Sequence, residues 1–300
     1  YNPLEYIRLI RCIGFSITVM CFIIKKNDII VNIVNINLLA VFIPFDIVTL
    51  GLEKNVMDIT EKVQKLQEMV DNSSNIVFFG GAGVSTESGI PDFRSQDGLY
   101  NQQWAYPPEQ ILSGSFFKGN ISEFYRFYRA KMLCLEAKPN AAHYALAKLE
   151  EVGKLTAVIT QNIDGLHQAA GSKVVYELHG SVLRNYCMDC GRFYDVHHIV
   201  NTAPNVPRCT HCGGIVKPDV VLYEEGLDEN VLTGALQKIA QADILIIGGT
   251  SLNVYPAASL INYFKGSKLV VINKSATSAD AHAQLLINEG IAQVMGALNI

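Results

Sequence analysis

The sequence predicts an α/β fold, a parallel sheet with helices on both faces, with a small second domain formed by insertions. Three observations predict it. Short runs of four to six nearly continuous apolar residues recur along the chain and alternate with helical patterns, as strands covered on both faces do. The first of these runs leads into a glycine loop, "NIVFFGGAGVST" (75–86). Four cysteines stand as two Cys-x-x-Cys pairs in a stretch with little apolar periodicity.

Composition bounds the rest. The chain has 300 residues, 49% apolar and 17% charged, enough for one large domain or two modest ones. A net charge of −4 gives no global electrostatic case for nucleic-acid binding. Of seven cysteines, four are paired at short spacing and three are scattered, which suits a reducing, cytoplasmic setting better than a disulfide framework.

Residues 1–56 differ from the remainder. They are rich in Ile, Val, Leu and Asn, with no clear helical or alternating period. Two uncharged runs, Cys12–Ile24 and Ile29–Phe45, are short or Asn- and Pro-interrupted for a spanning helix of about 20 apolar residues. A membrane anchor and a signal peptide therefore fit less well than an upstream segment read in frame, with Met57 as the natural start.

From there the elements follow in order. Asp58–Val70 reads as a helix, with Ile59, Val63, Leu66 and Val70 at 3–4 spacing. Strands are expected at "NIVFFG", "KLTAVIT", "KVVYEL", "PDVVLY", "ADILIIGGT" and "KLVVIN". Helices are expected at Ser122–Glu136, Asn140–Glu151, Glu229–Ala240, Pro256–Phe264 and Ala279–Leu286. Two stretches break the rhythm, Gly89–Pro139 and Arg184–Val216. The expected organisation is a large lobe at 57–90, 140–183 and 217–300 and a small lobe at 91–139 and 184–216, with a ligand cleft between them.

In the loop, Gly81-x-Gly83 allows a sharp turn and close approach of a pyrophosphate, whose charge the following amides can bind. An ordinary strand-to-helix turn is the plain alternative. Thr86 occupies the third glycine position of the dinucleotide fingerprint, and "NQQWA" stands where an acidic residue is expected. The sheet is thus Rossmann-like, favouring a dinucleotide but not a standard hydride-transfer enzyme.

Cys187-x-x-Cys190 and Cys209-x-x-Cys212, eighteen residues apart, form a strong signature of one structural zinc ion. Four thiolates close the tetrahedron and leave no position for catalytic water. A redox pair or buried free thiols are the alternatives. His211 is read as a bystander, and His197 and His198 as surface residues. A nucleic-acid-binding ribbon is disfavoured: Arg184, Arg192, Arg208 and Lys217 are interspersed with Asp189 and Asp195, and no basic face emerges.

His179 ends one apolar strand, and Gln161, Asn162 and Asp164 follow the end of another. Polar side chains delivered together at strand ends need a polar partner, and a hydroxyl-rich ligand would supply one.

"GAGVSTESGIPDFR" (81–94) resembles the cofactor loop of the sirtuins, NAD-dependent protein-lysine deacylases. "TQNIDGLH" (160–167), "ELHG" (177–180), the two cysteine pairs, "GTSL" (249–252) and "INK" (272–274) follow in that family's order, so the resemblance covers about residues 58–300. It is closest to the compact bacterial type. The resemblance implies NAD as co-substrate, one structural Zn²⁺ and acetylated proteins or peptides as substrates. His179 would be the general base, with Asn162 positioning the ribose. Ile163 and Asp164 would receive the nicotinamide amide, and Phe93 would shield the ribose carbon. Ala82, Gly83, Thr86, Arg94 and Gln161 would contact the diphosphate and ribose. Thr250, Ser251, Asn273 and Ile291 would contact the adenosine half, although Asn273 alone suits a turn cap and Thr250 a helix cap. A monomer without direct nucleic-acid contact is expected.

Two departures from the family bear on specificity. Where members commonly carry Phe-Gly-Glu, this chain has Tyr223-Glu224-Glu225. The added charge beside the peptide groove would favour basic flanking residues. The Tyr-x-x-Arg of desuccinylases is displaced in "EFYRFYRAK" (123–131): Arg129 is one position late after Tyr125, on another helix face. Deacetylation is therefore expected. Desuccinylation, mono-ADP-ribosyl transfer and a non-enzymatic zinc-and-nucleotide module are the alternatives.

Overall fold

The computed structural model describes residues 17–25, 28–36, 58–93, 98–99 and 103–300. The chain divides into two compact units, Tyr1–Val56 and Met57–Ile300. In the first, β1 (Ile17–Lys25) and β2 (Asp28–Ile36) pair antiparallel, in register from Ile17 opposite Ile36 to Lys25 opposite Asp28. The sequence suggested no regular element there. The Ile and Val content that obscured an alternating pattern is itself what β-pairing favours. No helix among the described residues is long and apolar enough to cross a membrane.

The second unit opens with α1 (Ile59–Asp71), whose first amide is accepted by the Asp58 carboxylate. β3 (Ile76–Gly80) follows, then two short 3₁₀ turns at Ala82–Val84 and Thr86–Ser88. α2 (Pro108–Ile111), α3 (Gly114–Gly119) and α4 (Ile121–Phe127) lie in the first insertion. The helix expected to reach Glu136 instead widens into a π turn at Tyr128–Met132 and stops there. α5 (Ala141–Glu151), capped by Asn140, leads to β4 (Leu155–Thr160), α6 (Leu166–Ala170) and β5 (Val175–Glu177). The second insertion holds β6 (Gly180–Cys187), β7 (Phe193–Asp195), α7 (Val196–Asn201) and β8 (Val216–Val220). The chain ends with α8 (Glu229–Gln241), β9 (Ile244–Gly248), β10 (Lys268–Ile272), β11 (Leu285–Ile287) and α9 (Ile291–Gly296).

Six strands form the parallel sheet in the order β11-β10-β9-β3-β4-β5. Alternate residues of each strand feed opposite cores. Ile76 and Phe78 pack with the α1, α5 and α9 side, while Val77 and Phe79 pack with α8 and the 3₁₀ segment Ala257–Tyr263. Three sequence expectations need correction. "PDVVLY" does not join this sheet: β8 pairs antiparallel with β6 in a separate sheet ordered β7-β6-β8. Pro256–Phe264 is 3₁₀ rather than α. Ala279–Leu286 is a 3₁₀ turn followed by β11, because the Leu-Leu-Ile run completes the sheet edge. The small sheet begins at Gly180 and ends at Val220, so the excursion is wider than cysteine spacing alone suggests.

Strand order reverses between β3 and β9, since the chain proceeds to β4 on one side of β3 and to β10 on the other side of β9. The carboxyl ends of these two strands therefore flank the crevice in which open α/β sheets bind ligands.

Candidate active site and metal centre

Gly80 ends β3 opposite Gly248 at the end of β9, and Gly81 and Gly249 follow them. Gly83 N–H donates to the Gly249 carbonyl at 2.8 Å. A Cβ on Gly83 would stand 2.8 Å from the Gly249 Cα, so this glycine is required by the approach of two backbones. The loop then makes 3₁₀ turns instead of entering a helix directly, with the Thr86 hydroxyl donating to the Gly83 carbonyl at 3.0 Å. That local course explains why the third fingerprint glycine is dispensable here.

Above these strand ends lies a cleft of about 920 Å³. The expected catalytic and cofactor-contacting residues all line it, except Arg94, which lies outside the described residues. Ala82, Gly83, Thr86 and Phe93 come from the glycine loop, and Gln161, Asn162, Ile163 and Asp164 from the end of β4. Thr250 and Ser251 follow β9, Asn273 follows β10, and Ile291 begins α9. Of the local caps that the sequence left open, Asn273 makes its turn cap, while Thr250 starts no helix and only closes a short turn. Asn273 donates its amide to the Ser275 carbonyl, and Thr250 Oγ1 accepts from Leu252 N–H.

The β4 end is tied to the glycine loop through Ser85, which sequence reasoning passed over although it sits inside the quoted motif. Its hydroxyl donates to Asp164 Oδ2 at 2.7 Å and accepts from Asn162 Nδ2 at 3.0 Å. Asp164 Oδ1 accepts from Leu166 N–H, which fixes the carboxylate. Gln161 Nε2 is buried with no hydrogen-bond partner among the described residues. A buried donor left over in this way suits a polar ligand in the cleft.

His179 follows β5, and its position is set from both sides. Its carbonyl accepts from Val221 N–H at 3.0 Å. Its Nδ1 lies 3.0 Å from the Gln161 carbonyl, an acceptor only, so Nδ1 carries the proton and Nε2 is the basic nitrogen. Burial pushes the imidazole pKa below its usual value, partly opposed by the Gln161 carbonyl, so the ring is neutral at pH 7. Gly180, at φ 75°, must be glycine: a Cβ would fall 1.9 Å from the Asp219 carbonyl oxygen.

The cysteine module lies in the small sheet's loops. The sulfurs of Cys187, Cys190, Cys209 and Cys212 all lie within 4.8 Å of one another. Cys187 and Cys212 approach to 3.4 Å and Cys190 and Cys209 to 3.6 Å. Tetrahedral zinc with Zn–S near 2.3 Å requires S···S separations of about 3.8 Å, so the four thiolates fit one structural ion. His211 is outside the cluster, as expected, and contributes only its backbone N–H to Cys209 Sγ. His197 is exposed, while His198 is partly covered and contacts the Arg208 carbonyl.

The two specificity stretches behave differently from one another. Tyr125 and Tyr128 are fully buried in the small-lobe core, and the Tyr125 hydroxyl donates to the Val216 carbonyl. Arg129 donates to the carbonyls of Ile199 and Asn205 and to Thr202 Oγ1, away from the cleft lining. Glu224 does line the cleft, at φ 75° in the left-handed region. Both its carboxylate oxygens accept from Ser115, one from the N–H and one from the hydroxyl. Its charge is thereby turned toward α3, which modifies the expectation that it faces a peptide.

A reversed parallel sheet, a glycine loop and polar strand ends on one cleft, with a four-thiolate module beside it, define a zinc-bearing α/β protein with a dinucleotide site. The profile of the Sir2 family matches residues 81–256, and the chain belongs to that family. A protein of Clostridium perfringens (strain 13 / Type A) named NAD-dependent protein deacetylase is 64% identical over 239 residues, 79% of this chain and 98% of that one. One of the same name from Clostridium acetobutylicum is 59% identical over 241 residues, 80% and 98% of the two chains. Among solved structures, a Sir2 protein with a p53 peptide and NAD⁺ superposes with a TM-score of 0.69 at 40% identity, covering 78% of this chain and 95% of that one. A Sir2 variant with a deacetylated p53 peptide and 3′-O-acetyl ADP ribose gives 0.72 at 39% identity, with the same coverage.

Proposed function

We propose that the protein is an NAD-dependent protein-lysine deacetylase and that His179 is its general base. The observation that carries this is the His179–Gln161 contact. It leaves a neutral Nε2 ready to take a proton, on an imidazole delivered to the same cleft as Asn162 and Asp164. In this reading NAD lies along the β3 and β9 ends, and Gln161 Nε2 finds its missing partner on it. The acetyl oxygen of the modified lysine attacks the ribose carbon as nicotinamide leaves. His179 withdraws a proton through the ribose hydroxyls, and the 2′-OH attacks the bound acyl carbon. With one water consumed, the products are free lysine and O-acetyl-ADP-ribose. Enclosure of the cleft keeps water from hydrolysing NAD unproductively.

Acetyl is preferred over succinyl because Arg129 is engaged by carbonyls around α7. The named relatives support the same activity. The zinc ion holds the small lobe and takes no part in the chemistry. The reading extends to a cytoplasmic monomer acting on acetylated proteins, without direct nucleic-acid binding.

The test is incubation with NAD and an acetyl-lysine peptide. Nicotinamide and acetyl-ADP-ribose should appear together, and His179→Ala should abolish both while zinc content is retained. Nicotinamide without the acetylated product would point to an NAD hydrolase or ADP-ribosyltransferase, and neither product to a binding module.

A further inference from the structure

Arg184 sits where the chain leaves the parallel sheet. Its Nη1 donates to Glu177 Oε2 at 2.6 Å and its Nε to Asp219 Oδ2 at 2.8 Å. Glu177 is the last residue of β5 in the parallel sheet, and Asp219 belongs to β8 in the small sheet. His179 and Gly180 lie between Glu177 and Arg184 along the chain, so one guanidinium closes a loop around them. The Glu177 side chain is only 9% exposed, a carboxylate that burial leaves dependent on this partner.

A second observation concerns the strand ladder. Ser181 of β6 pairs with Asp219, but the next pair is Asn185 with Pro218, and the register shifts between them. Proline has no N–H to give the ladder. Arg184 stands within this interruption, and its side chain joins the two strands where backbone bonds lapse. The interruption is flanked by the contacts that hold the site. Val221 N–H donates to the His179 carbonyl at 3.0 Å, and Val182 N–H donates to the Ile163 carbonyl at 2.9 Å. Irregular ladder positions beside a site commonly aim a side chain, and here the aimed group is the neighbouring imidazole.

We propose that Arg184 is a positioning residue for the reaction: by clamping Glu177 to Asp219 it holds His179 and the Asn162–Asp164 loop in register with each other. It does not line the cleft. The proposal rests on His179 being the base. Only a planar fork can serve both carboxylates at once, and a lysine serves them less completely.

The test compares wild type, Arg184→Ala, Arg184→Lys and Arg184→Ala combined with Glu177→Gln. It measures kcat, the KM for NAD, zinc content and the ¹⁵N signals of the His179 ring. Arg184→Ala should lower kcat by about tenfold to a hundredfold, the scale of misplacing a reacting group. The KM for NAD should stay within about twofold, since the interaction lost is not one of substrate binding. Arg184→Lys should recover part of kcat, and Glu177→Gln should add little to the Ala variant. The Nδ1-protonated signature of His179 should weaken in Ala and return in Lys. An unchanged kcat, a kcat loss that parallels zinc loss, or a raised KM for NAD with kcat kept would each overturn the proposal. The ring signals do not depend on turnover. They test the clamp even if the wild-type protein releases no nicotinamide, an outcome that would strike the functional reading alone.

Discussion

The two lobes bring together groups that could bind metal, and they treat them in opposite ways. In the small lobe four sulfurs converge within 4.8 Å. In the large lobe His143 of α5 and His167 of α6 meet with ring centroids 4.7 Å apart and planes tilted by 55°, fully buried beside Phe78. Three of their four ring nitrogens have no hydrogen-bond partner among the described residues. The contrast follows from the apolar area available. The sheet strands β3 and β9 are buried along their whole length, and such a core can tolerate uncompensated neutral imidazoles. The zinc module leaves Met188 and Phe193 more than half exposed and has too little core to hold its loops unaided.

The largest effect that would sharpen this contrast is removal of the metal. Chelation, or Cys209→Ser, should melt the small lobe, because structural zinc supplies on the order of 10 kcal/mol to modules of this kind. The large lobe should keep its slow-exchanging strand amides. Hydrogen exchange resolves the two, with protection expected to fall over 184–216 and persist in β3, β4 and β9. Uniform loss of protection would show that the lobes fold as one unit and would remove the contrast.

How far the sequence anticipated each lobe follows the same division. The large lobe was legible because its strands are apolar on both faces and its helices periodic; β3, β4, β9, α5 and α8 fall where the pattern placed them. The four cysteines were legible because their spacing encodes coordination. What escaped was set by partners distant in sequence. β6 is partly exposed and carries Arg184 and Asn185, so it lacks a strand's apolar signal, and β8 takes its place only through pairing with β6. Within the site, the chemistry-bearing residues could be named from motifs. Ser85 could not be recognised as the hub joining Asn162 to Asp164 until the two loops met in space.

The histidine pair gives the next, smaller effect. Burial depresses the pKa of His143 to about 4, despite the opposing charge of Asp164, and that of His167 to about 3, with His143 adding to the shift. In the unfolded chain both titrate near 6.5. Between pH 6.5 and 4 the unfolded state therefore holds more protons, and stability must fall as pH falls. The contribution is complete above pH 6.5. Linkage sets the loss at pH 5 at about 2 kcal/mol per histidine. Urea unfolding at pH 7 and pH 5 should show it, and His167→Met should remove about half of the difference. An equal pH dependence in the variant would mean that carboxylates, not these imidazoles, govern acid stability.

The smallest effect lies at Glu224, where the lobes' common cleft meets α3. A non-glycine residue at φ 75° carries strain of about 1 kcal/mol. Glu224→Gly relieves that strain but removes two solvent-exposed hydrogen bonds to Ser115, each worth a similar or lesser amount. The two changes oppose each other, and stability should move by less than about 1 kcal/mol in either direction. Peptide choice should be equally insensitive, because the carboxylate is already occupied. The ratio of turnover for Arg-flanked over Asp-flanked acetyl-lysine peptides should change by less than about threefold, the scale of one exposed charge. A larger fall in that ratio would mean that a bound peptide draws the carboxylate away from Ser115. The family's glycine position would then be a charge-selective contact in this chain rather than an internal brace.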